Sequence, residues 1–361
     1  MNNFPMPWNT STTAFKTQQR PEHPHFGKAY DFMQSWLIGR QTFTLQTSGS
    51  TGDPKLIEVQ RSQLVSSARM TGKALDLAKG TRALVCLNVH YIAGLMMLVR
   101  GMELGWEMTI IEPSANPLVD LSVNDTFDFA ALVPLQLASV LENAQTANQV
   151  GRLGKILLGG APVHVSLQRK IEALTIPVYQ SYGMTETVSH IALRRLNGEN
   201  FSEDYHFLPN IIFGTDDRGC LHISGPVTNG EIVQTNDLVE ITGDTFKWIG
   251  RADNVINSGG VKIVLDKVDA GVGEVFYDLK IASAFFNWFV VDEKLGQKLI
   301  LVIEGTENAF QADDIIPQIR KRLSAYETPK HVYFVQHFSK TTTDKVDKRR
   351  TVQQLLASQN G

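Results

Sequence analysis

The sequence predicts an α/β protein: a large N-terminal domain on a helix-covered, mainly parallel sheet, a small β subdomain, and a separate α+β unit at the C-terminal end. Three observations carry that prediction. Between residues 83 and 174, apolar runs of strand length alternate with segments of helix length, the pattern of parallel strands joined by covering helices. From Phe213 to Ile249 the runs shorten, with turn signals at Asp216-Asp217-Arg218-Gly219 and Asn229-Gly230, as in a small antiparallel sheet. After Gly250-Arg251 a new series of strands and helices begins, so the chain divides into residues 1–250 and 251–361, with a hinge at Arg251 to Asp253.

In chain order, Pro5, Pro7, Pro21 and Pro24 mark residues 1–40 as an irregular arm with one helix near Lys28 to Leu37. The alternation Thr42-Phe43-Thr44-Leu45 reads as a strand, Arg61 to Ala78 as a helix, and Ala83 to Val89 as a buried strand that ends at His90. There follow a helix Ile92 to Leu104, strands Met108 to Ile111 and Phe129 to Val133, a helix Leu135 to Asn148, a strand Lys155 to Leu158 and a helix Val165 to Leu174. The C-terminal unit has strands near Ile281 to Val291, Lys298 to Ile303 and His331 to Val335, with helices near Asp313 to Leu323 and Lys348 to Ala357. Ligands of such sheets bind beyond the carboxyl ends of the strands, where His90, Gly159-Gly160-Ala161-Pro162 and Tyr182-Gly183-Met184-Thr185-Glu186 fall.

The 361 residues are 43% apolar and 20% charged with a formal charge of -3, which predicts a soluble globular protein without a global bias toward nucleic acid or anionic membrane. A small molecule is the expected partner. Cys86 and Cys220 stand far apart, which excludes a disulfide framework and a CxxC metal site and suits a reducing cytoplasm. Neither a signal peptide nor an apolar run of membrane-spanning length is evident, so export and insertion are not expected.

The segment that organises the chain is Thr47-Ser48-Gly49-Ser50-Thr51-Gly52-Asp53-Pro54-Lys55. Its hydroxyls can donate to anionic oxygens, its glycines let backbone N–H groups turn inward, and Lys55 adds a point charge, a combination suited to a triphosphate. Taken alone, a segment so rich in Ser, Thr and Gly also suits a solvated turn. It is not a Walker A loop, because Lys55 is followed by Leu56 where that pattern needs Ser or Thr. It resembles the phosphate loop of the adenylate-forming enzymes, and Ser181-Tyr182-Gly183-Met184-Thr185-Glu186-Thr187 resembles the second signature of that family. The order of further segments agrees: Gly159-Gly160-Ala161-Pro162, Thr242-Gly243-Asp244, Gly250-Arg251-Ala252-Asp253, and Ser339 to Arg349. The resemblance runs from about Phe43 to the end, behind a front shorter than typical members carry.

The resemblance implies a reaction and a cast. Thr47, Ser48, Gly49, Ser50, Thr51, Gly52 and Lys55 would hold the phosphates of ATP, and Gly159, Gly160, Ala161 and Pro162 would edge the adenine. Tyr182 would lie against the base, Thr185 would contact the phosphate being cleaved, and Glu186 would help hold Mg²⁺. Asp244 would accept from the ribose, Arg251 would reach ribose or phosphate, and Asp253 would be the pivot of a mobile C-terminal lid. Lys345 maps to the catalytic lysine, although Ser339 and Asp344 stand where the family has proline and glycine. Ser258, Gly259 and Gly260 would face coenzyme A in the second half-reaction. Ser258-Gly259-Gly260 and the run Tyr182 to His190 are most similar to the o-succinylbenzoate-CoA ligases of menaquinone synthesis. Such an acid has a second carboxylate to anchor, with His90, Ser189, His190, Arg194 and Arg195 as candidates. A ligase for another aryl or medium-chain acid, a transferase loading a carrier protein, and a nucleotide-binding pseudoenzyme are the competing readings.

Overall fold

The computed structural model describes residues 5–46, 56–119, 121–306, 312–341 and 346–359. Two compact units emerge. The first comprises residues 1–214, 222–234 and 241–247, and the second residues 215–221, 235–240 and 248–361, so the chain crosses between them several times before staying in the second.

Within the first unit the strands are β1 (Trp8–Ser11), β2 (Thr42–Gln46), β3 (Leu56–Gln60), β4 (Arg82–Val85), β5 (Glu107–Ile110), β6 (Phe129–Leu132), β7 (Lys155–Leu158), β8 (Val178–Gly183), β9 (His190–Arg195) and β10 (Tyr205–Phe207). The helices are α1 (Pro24–Leu37), α2 (Arg61–Ala74), α3 (Ile92–Leu104), α4 (Pro134–Glu142), α5 (Ala144–Ala147) and α6 (Val165–Glu172). The main sheet runs β1-β5-β4-β6-β7-β8-β9-β10. Its centre, β5 to β8, is parallel, while β1 and β9 join antiparallel at either side.

The central strands are short and buried on both faces, so their sequences read as continuous apolar runs rather than alternating ones. Leu84, Ala130, Leu132, Ile156 and Leu158 pack with Leu137 and Val140 of α4 and Leu167 and Ile171 of α6 in one core. Trp106 meets Phe129 edge-on, with ring centres 5.5 Å apart. The arm holds more order than its prolines suggest: β1 pairs residue for residue with β5, from Trp8 opposite Ile110 to Ser11 opposite Glu107. That pairing covers a sheet edge that would otherwise present free backbone groups.

Two helices end earlier than their apolar pattern implies, each for a local reason. At α2 the Lys155 ammonium donates to the Leu75 carbonyl (2.5 Å) and Asp76 turns left-handed at φ 51°, so the helix stops before Ala78. At Asn143 the side chain accepts from the Gln145 N–H (2.9 Å), and this local bond divides the expected helix Leu135 to Asn148 into α4 and α5.

The strands β11 (Ile212–Thr215), β12 (Cys220–Ser224), β13 (Val233–Thr242) and β14 (Thr245–Arg251) carry the chain between the units. In the second unit lie β15 (Val255–Ser258), β16 (Val261–Val264), α7 (Leu265–Asp278), β17 (Phe285–Asp292), β18 (Gly296–Glu304), α8 (Ala312–Arg322), β19 (His331–Val335) and α9 (Lys348–Gln359). Both faces of β18 are covered: Leu299, Leu301 and Ile303 pack with Val268, Val272 and Ile319, whereas Ile300 and Val302 pack with Val352. Among the described residues, no helix is long and apolar enough to cross a membrane.

His25, in the first turn of α1, is 7% exposed, and its Nε2 has no hydrogen-bond partner among the described residues. Burial first, then the neighbouring His90 and His23, push its pKa from 6.5 down to about 4. A histidine held neutral in the fold contributes stability fully above pH 6.5, and that contribution is lost as the pH falls from 6.5 toward 4. The loss should reach about 3 kcal/mol. Thermal unfolding between pH 7.5 and 4.5 should therefore fall more steeply in the native chain than in His25→Gln; equal slopes would contradict the assignment.

Candidate functional site

The turn from β8 into β9 is built by steric exclusion. The register slips between Tyr182 and Gly183, which brings Gly183 so close to β9 that a Cβ there would lie 2.3 Å from the Ser189 carbonyl oxygen and 2.4 Å from the His190 Cα. Only glycine permits that approach. Thr187 then fastens the turn, its hydroxyl accepting from the Met184 N–H (3.1 Å) and donating to the Ser189 carbonyl (2.7 Å). Val188 sits at φ 65°, ψ -48°, with the Ser189 N–H bonded to the Thr187 carbonyl at 2.6 Å. This is the strained form of the γ-turn, which a β-branched residue adopts only under tertiary constraint. Its effect is to point Ser189 and His190 back into the unit while Thr185 and the exposed Glu186 stay at the rim.

Tyr182 is held from behind by rings. Its ring meets Phe246 edge-on at 5.1 Å and lies 5.8 Å from Tyr205, and Tyr205 and Phe246 stack on each other. Such contacts fix the plane of the Tyr182 ring.

Behind the turn lies a buried cation. Arg100, on α3, is 2% exposed; it donates from Nη2 to the Ser189 hydroxyl (2.9 Å) and from Nε to the Thr71 hydroxyl (3.3 Å). The Thr71 hydroxyl donates its hydrogen to the Ser67 carbonyl (2.9 Å), so the His190 Nε2 beside it (3.0 Å) must carry a hydrogen and donate. The His190 Nδ1 is then bare and accepts from Ser189 (3.3 Å). Burial, followed by the Arg100 charge, holds His190 well below its usual pKa, which agrees with this neutral tautomer. Burial lowers Arg100 itself only to about 10, so it stays charged at neutral pH. No carboxylate lies within ion-pair distance of Arg100 among the described residues, and at least two of its five N–H donors have no acceptor there. The Ser67 hydroxyl, one turn before Thr71, is likewise buried and has no partner among the described residues.

The loop after β7 offers a shallow cradle. The Gly159 N–H donates to the Leu132 carbonyl (3.1 Å), Gly160 turns at φ 82°, and Ala161 and Pro162 are exposed. A Cβ on Gly159 would lie 2.8 Å from the hydroxyl of Ser181, the neighbour of Tyr182. The glycine thus lets the Ser181 hydroxyl pack directly against the loop after β7. For a cation the unit offers the exposed Glu186, and no cluster of three or more His, Cys, Asp or Glu able to hold a metal occurs among the described residues. A hard divalent ion held by one carboxylate takes its other oxygens from a phosphate ligand and water, and Glu186 fits that use.

Other predicted residues are placed differently. His90 is exposed, its N–H donating to the Asn88 side chain (2.9 Å). Arg194 and Arg195 are occupied within the sheet, Arg194 on Gln180 Oε1 (2.7 Å) and over the Tyr205 ring, Arg195 on Asn197 (2.9 Å) and over Tyr179. Asp244 lies exposed in the turn between β13 and β14, its carbonyl accepting from the Phe207 N–H (3.1 Å).

In the second unit, Arg251 forms a two-bond pair with Asp253 (2.9 Å each), which holds the Asp253 carboxyl below the usual range. Arg251 also lies 3.8 Å from Asp237, a buried carboxylate that accepts from the Trp248 indole N–H (3.2 Å). Sequence reasoning passed over Asp237. The alternation along β13 would have found it, because Thr235, Asp237 and Val239 share the buried face. Gly259 and Gly260, at φ 59° and 83°, make the two-residue turn between β15 and β16, and Ser258 is buried beside it. The phosphate-loop residues Thr47, Ser48, Gly49, Ser50, Thr51, Gly52 and Lys55, and Lys345, lie outside the described residues.

Residues 40–210 match the family of AMP-binding enzymes. A crystal structure of an acyl-CoA synthetase (AMP-forming)/AMP-acid ligase II-like protein from Dyadobacter fermentans is 62% identical, covers 97% of this chain and 100% of its own, and has a TM-score of 0.69. A 2-succinylbenzoate–CoA ligase of Staphylococcus aureus is 25% identical over 336 residues, an alignment covering 84% of this chain and 65% of that relative's length. An o-succinylbenzoate coenzyme A synthetase from Bacillus subtilis, solved with ATP and magnesium ion, is 22% identical, with 86% of this chain and 69% of that one covered, at a TM-score of 0.66; this likeness is one of fold.

Proposed function

Since the chain belongs to the AMP-binding enzyme family, we propose that it is an adenylate-forming acid–CoA ligase whose acid carries a second carboxylate, with o-succinylbenzoate as the substrate. The observation that carries the substrate reading is Arg100. A guanidinium buried with hydroxyls and, among the described residues, without a carboxylate leaves a positive charge uncompensated, at a cost of several kcal/mol. An acid with one carboxylate at the reacting end and another at the far end offsets that cost on binding. A medium-chain fatty acid has nothing to offer it. The names of the Staphylococcus relatives support the same acid.

In the reaction, the aliphatic carboxylate attacks the α-phosphorus of ATP, a P–O bond forms, and pyrophosphate leaves with the electron pair of the bond broken. Mg²⁺, when bound, would offset phosphate charge, with Glu186 as its protein ligand. Tyr182 would lie against adenine, and Thr185 would reach the phosphate. Lys345 supplies positive charge to the phosphate and acyl oxygens. In the second half-reaction the CoA thiol, as thiolate, attacks the acyl carbon and AMP departs; Ser258, Gly259 and Gly260 face the pantetheine arm, and Asp253 is the hinge. Asp237 is proposed as the ribose acceptor in place of Asp244: a buried carboxylate oriented by an indole and a guanidinium is preorganised to accept from a diol, and Asp244 is exposed.

ATP–pyrophosphate exchange with o-succinylbenzoate, compared with 4-oxo-4-phenylbutanoate, which lacks the ring carboxylate, tests the substrate reading. The native chain should prefer the dicarboxylate about 100-fold in kcat/KM, and Arg100→Met should lose most of that preference, since a charge-assisted bond contributes about 1.5–3 kcal/mol. An unchanged preference in Arg100→Met would refute the anchor, and exchange with neither acid nor any other would favour a pseudoenzyme. For the ribose acceptor, Asp237→Asn should weaken AMP binding about tenfold by calorimetry while Asp244→Asn leaves it within twofold; the reverse order would restore Asp244.

A further inference from the structure

Of the hydroxyl and imidazole hydrogens on Ser67, Thr71, Ser189 and His190, all but one have an acceptor. The Thr71 hydroxyl gives its hydrogen to the Ser67 carbonyl (2.9 Å), the His190 Nε2 gives its own to Thr71 (3.0 Å), and the Ser189 hydroxyl gives its own to the His190 Nδ1 (3.3 Å). Arg100 donates to the lone pairs that remain on Thr71 (3.3 Å) and Ser189 (2.9 Å), while its Nη1 meets only the Met97 sulfur, at 3.9 Å. The hydrogen left over is that of Ser67, whose hydroxyl is fully buried and has no partner among the described residues. Ser67 stands one turn before Thr71 on the same face of α2, and the Thr71 hydroxyl touches both Ser67 and Arg100.

What these groups leave unsatisfied is therefore donors: at least two N–H groups of Arg100 and the O–H of Ser67. A water molecule would satisfy the hydroxyl but not the charge of a guanidinium that is 2% exposed. An anion answers both. One buried positive charge calls for one negative charge, since a divalent anion would only reverse the imbalance. The free donors suffice for a single atom and fall short of the several oxygens of phosphate or sulfate. The Met97 thioether and the apolar stretch of α3 around it suit a weakly hydrated, polarisable ion.

We infer that Arg100 and Ser67 form a binding site for a halide ion, chloride in ordinary salt, which occupies the protein when no acid is bound. The free N–H groups of Arg100 and the hydroxyl hydrogen of Ser67 hold the ion, and its charge cancels the buried one. The site stands on these contacts alone. One consequence, that an acid with a second carboxylate displaces the halide, rests on the reading of Arg100 as the anchor of that carboxylate. Salt then competes with the acid, and the resting protein carries no uncompensated charge at this place.

Two measurements on the full chain without substrate test the site. Thermal unfolding is followed as chloride replaces the bulkier isethionate at constant ionic strength. The Tm of the native chain should rise saturably, by about 2–5 °C at about 0.3 M chloride. Arg100→Met should show no such rise, and Ser67→Ala should need roughly tenfold more chloride for the same effect. In crystals soaked with bromide, an anomalous peak should lie within hydrogen-bond distance of the Arg100 Nη atoms and the Ser67 Oγ, a result that needs no variant. The same chloride dependence in native and Arg100→Met, or bromide confined to the surface with water at Ser67, overturns the inference. In ATP–pyrophosphate exchange, chloride should raise the KM for o-succinylbenzoate several-fold without lowering kcat. Halide bound beside Arg100 that leaves this KM unchanged upholds the site and removes the anchor. An Arg100-dependent preference for the dicarboxylate in a chain that binds no halide keeps the anchor and overturns this inference alone.

Discussion

A guanidinium buried among hydroxyls, with no carboxylate beside it among the described residues, is the constraint to which this part of the first unit answers. Arg100 cannot shed its proton at neutral pH, so its surroundings must accommodate the charge. They do so by proton ordering: the Thr71 hydrogen goes to Ser67, the Ser189 hydrogen to His190, and the His190 ring stays neutral with its hydrogen on Nε2. A protonated His190 would place a second cation against the first. Each acceptor in the network is dipolar and none is charged, which leaves Arg100 its capacity for an anionic ligand.

The backbone between β8 and β9 exists in its present form to complete that network. Without the close approach at Gly183 and the reversal at Val188, Ser189 and His190 would continue along a regular strand and turn away from α3. The strain at Val188 is held by Thr187, a fully buried residue that bonds to both ends of the turn. Thr185 and the exposed Glu186 thus come from the same six-residue stretch as the inward-held Ser189 and His190. A change at Ser189 or His190 will therefore also be felt at Thr185 and Glu186.

Much of the architecture was legible because the central strands and helices are uniform in type: Ile92–Leu104, Lys155–Leu158 and His331–Val335 lie where their apolar pattern puts them. The misses have physical causes. The arm strand Trp8–Ser11 is held by its partner β5 and carries no alternation of its own, and the breaks at Asp76 and Asn143 depend on single side-chain or backbone bonds. Of the predicted site residues, Tyr182, Thr185, Glu186, Ser189 and His190 come from one motif, and the structure collects Ser189 and His190 around one cation. Arg100 was not readable, since an arginine within an apolar helix looks like a solvated position until the fold buries it. Asp237 was passed over because the nearby Thr242-Gly243-Asp244 offered a more familiar string; in the fold that string forms the turn between β13 and β14.

The most direct test of the account is calorimetric. Two non-hydrolysable acyl-sulfamate analogues of the adenylate, one with the ring carboxylate and one without it, would be titrated into the native chain under identical salt. If Arg100 is the partner of a second carboxylate, the first analogue should bind about 100-fold more tightly, a difference of about 2.7 kcal/mol. Equal affinities would mean that the buried guanidinium serves the fold alone and anchors no second carboxylate.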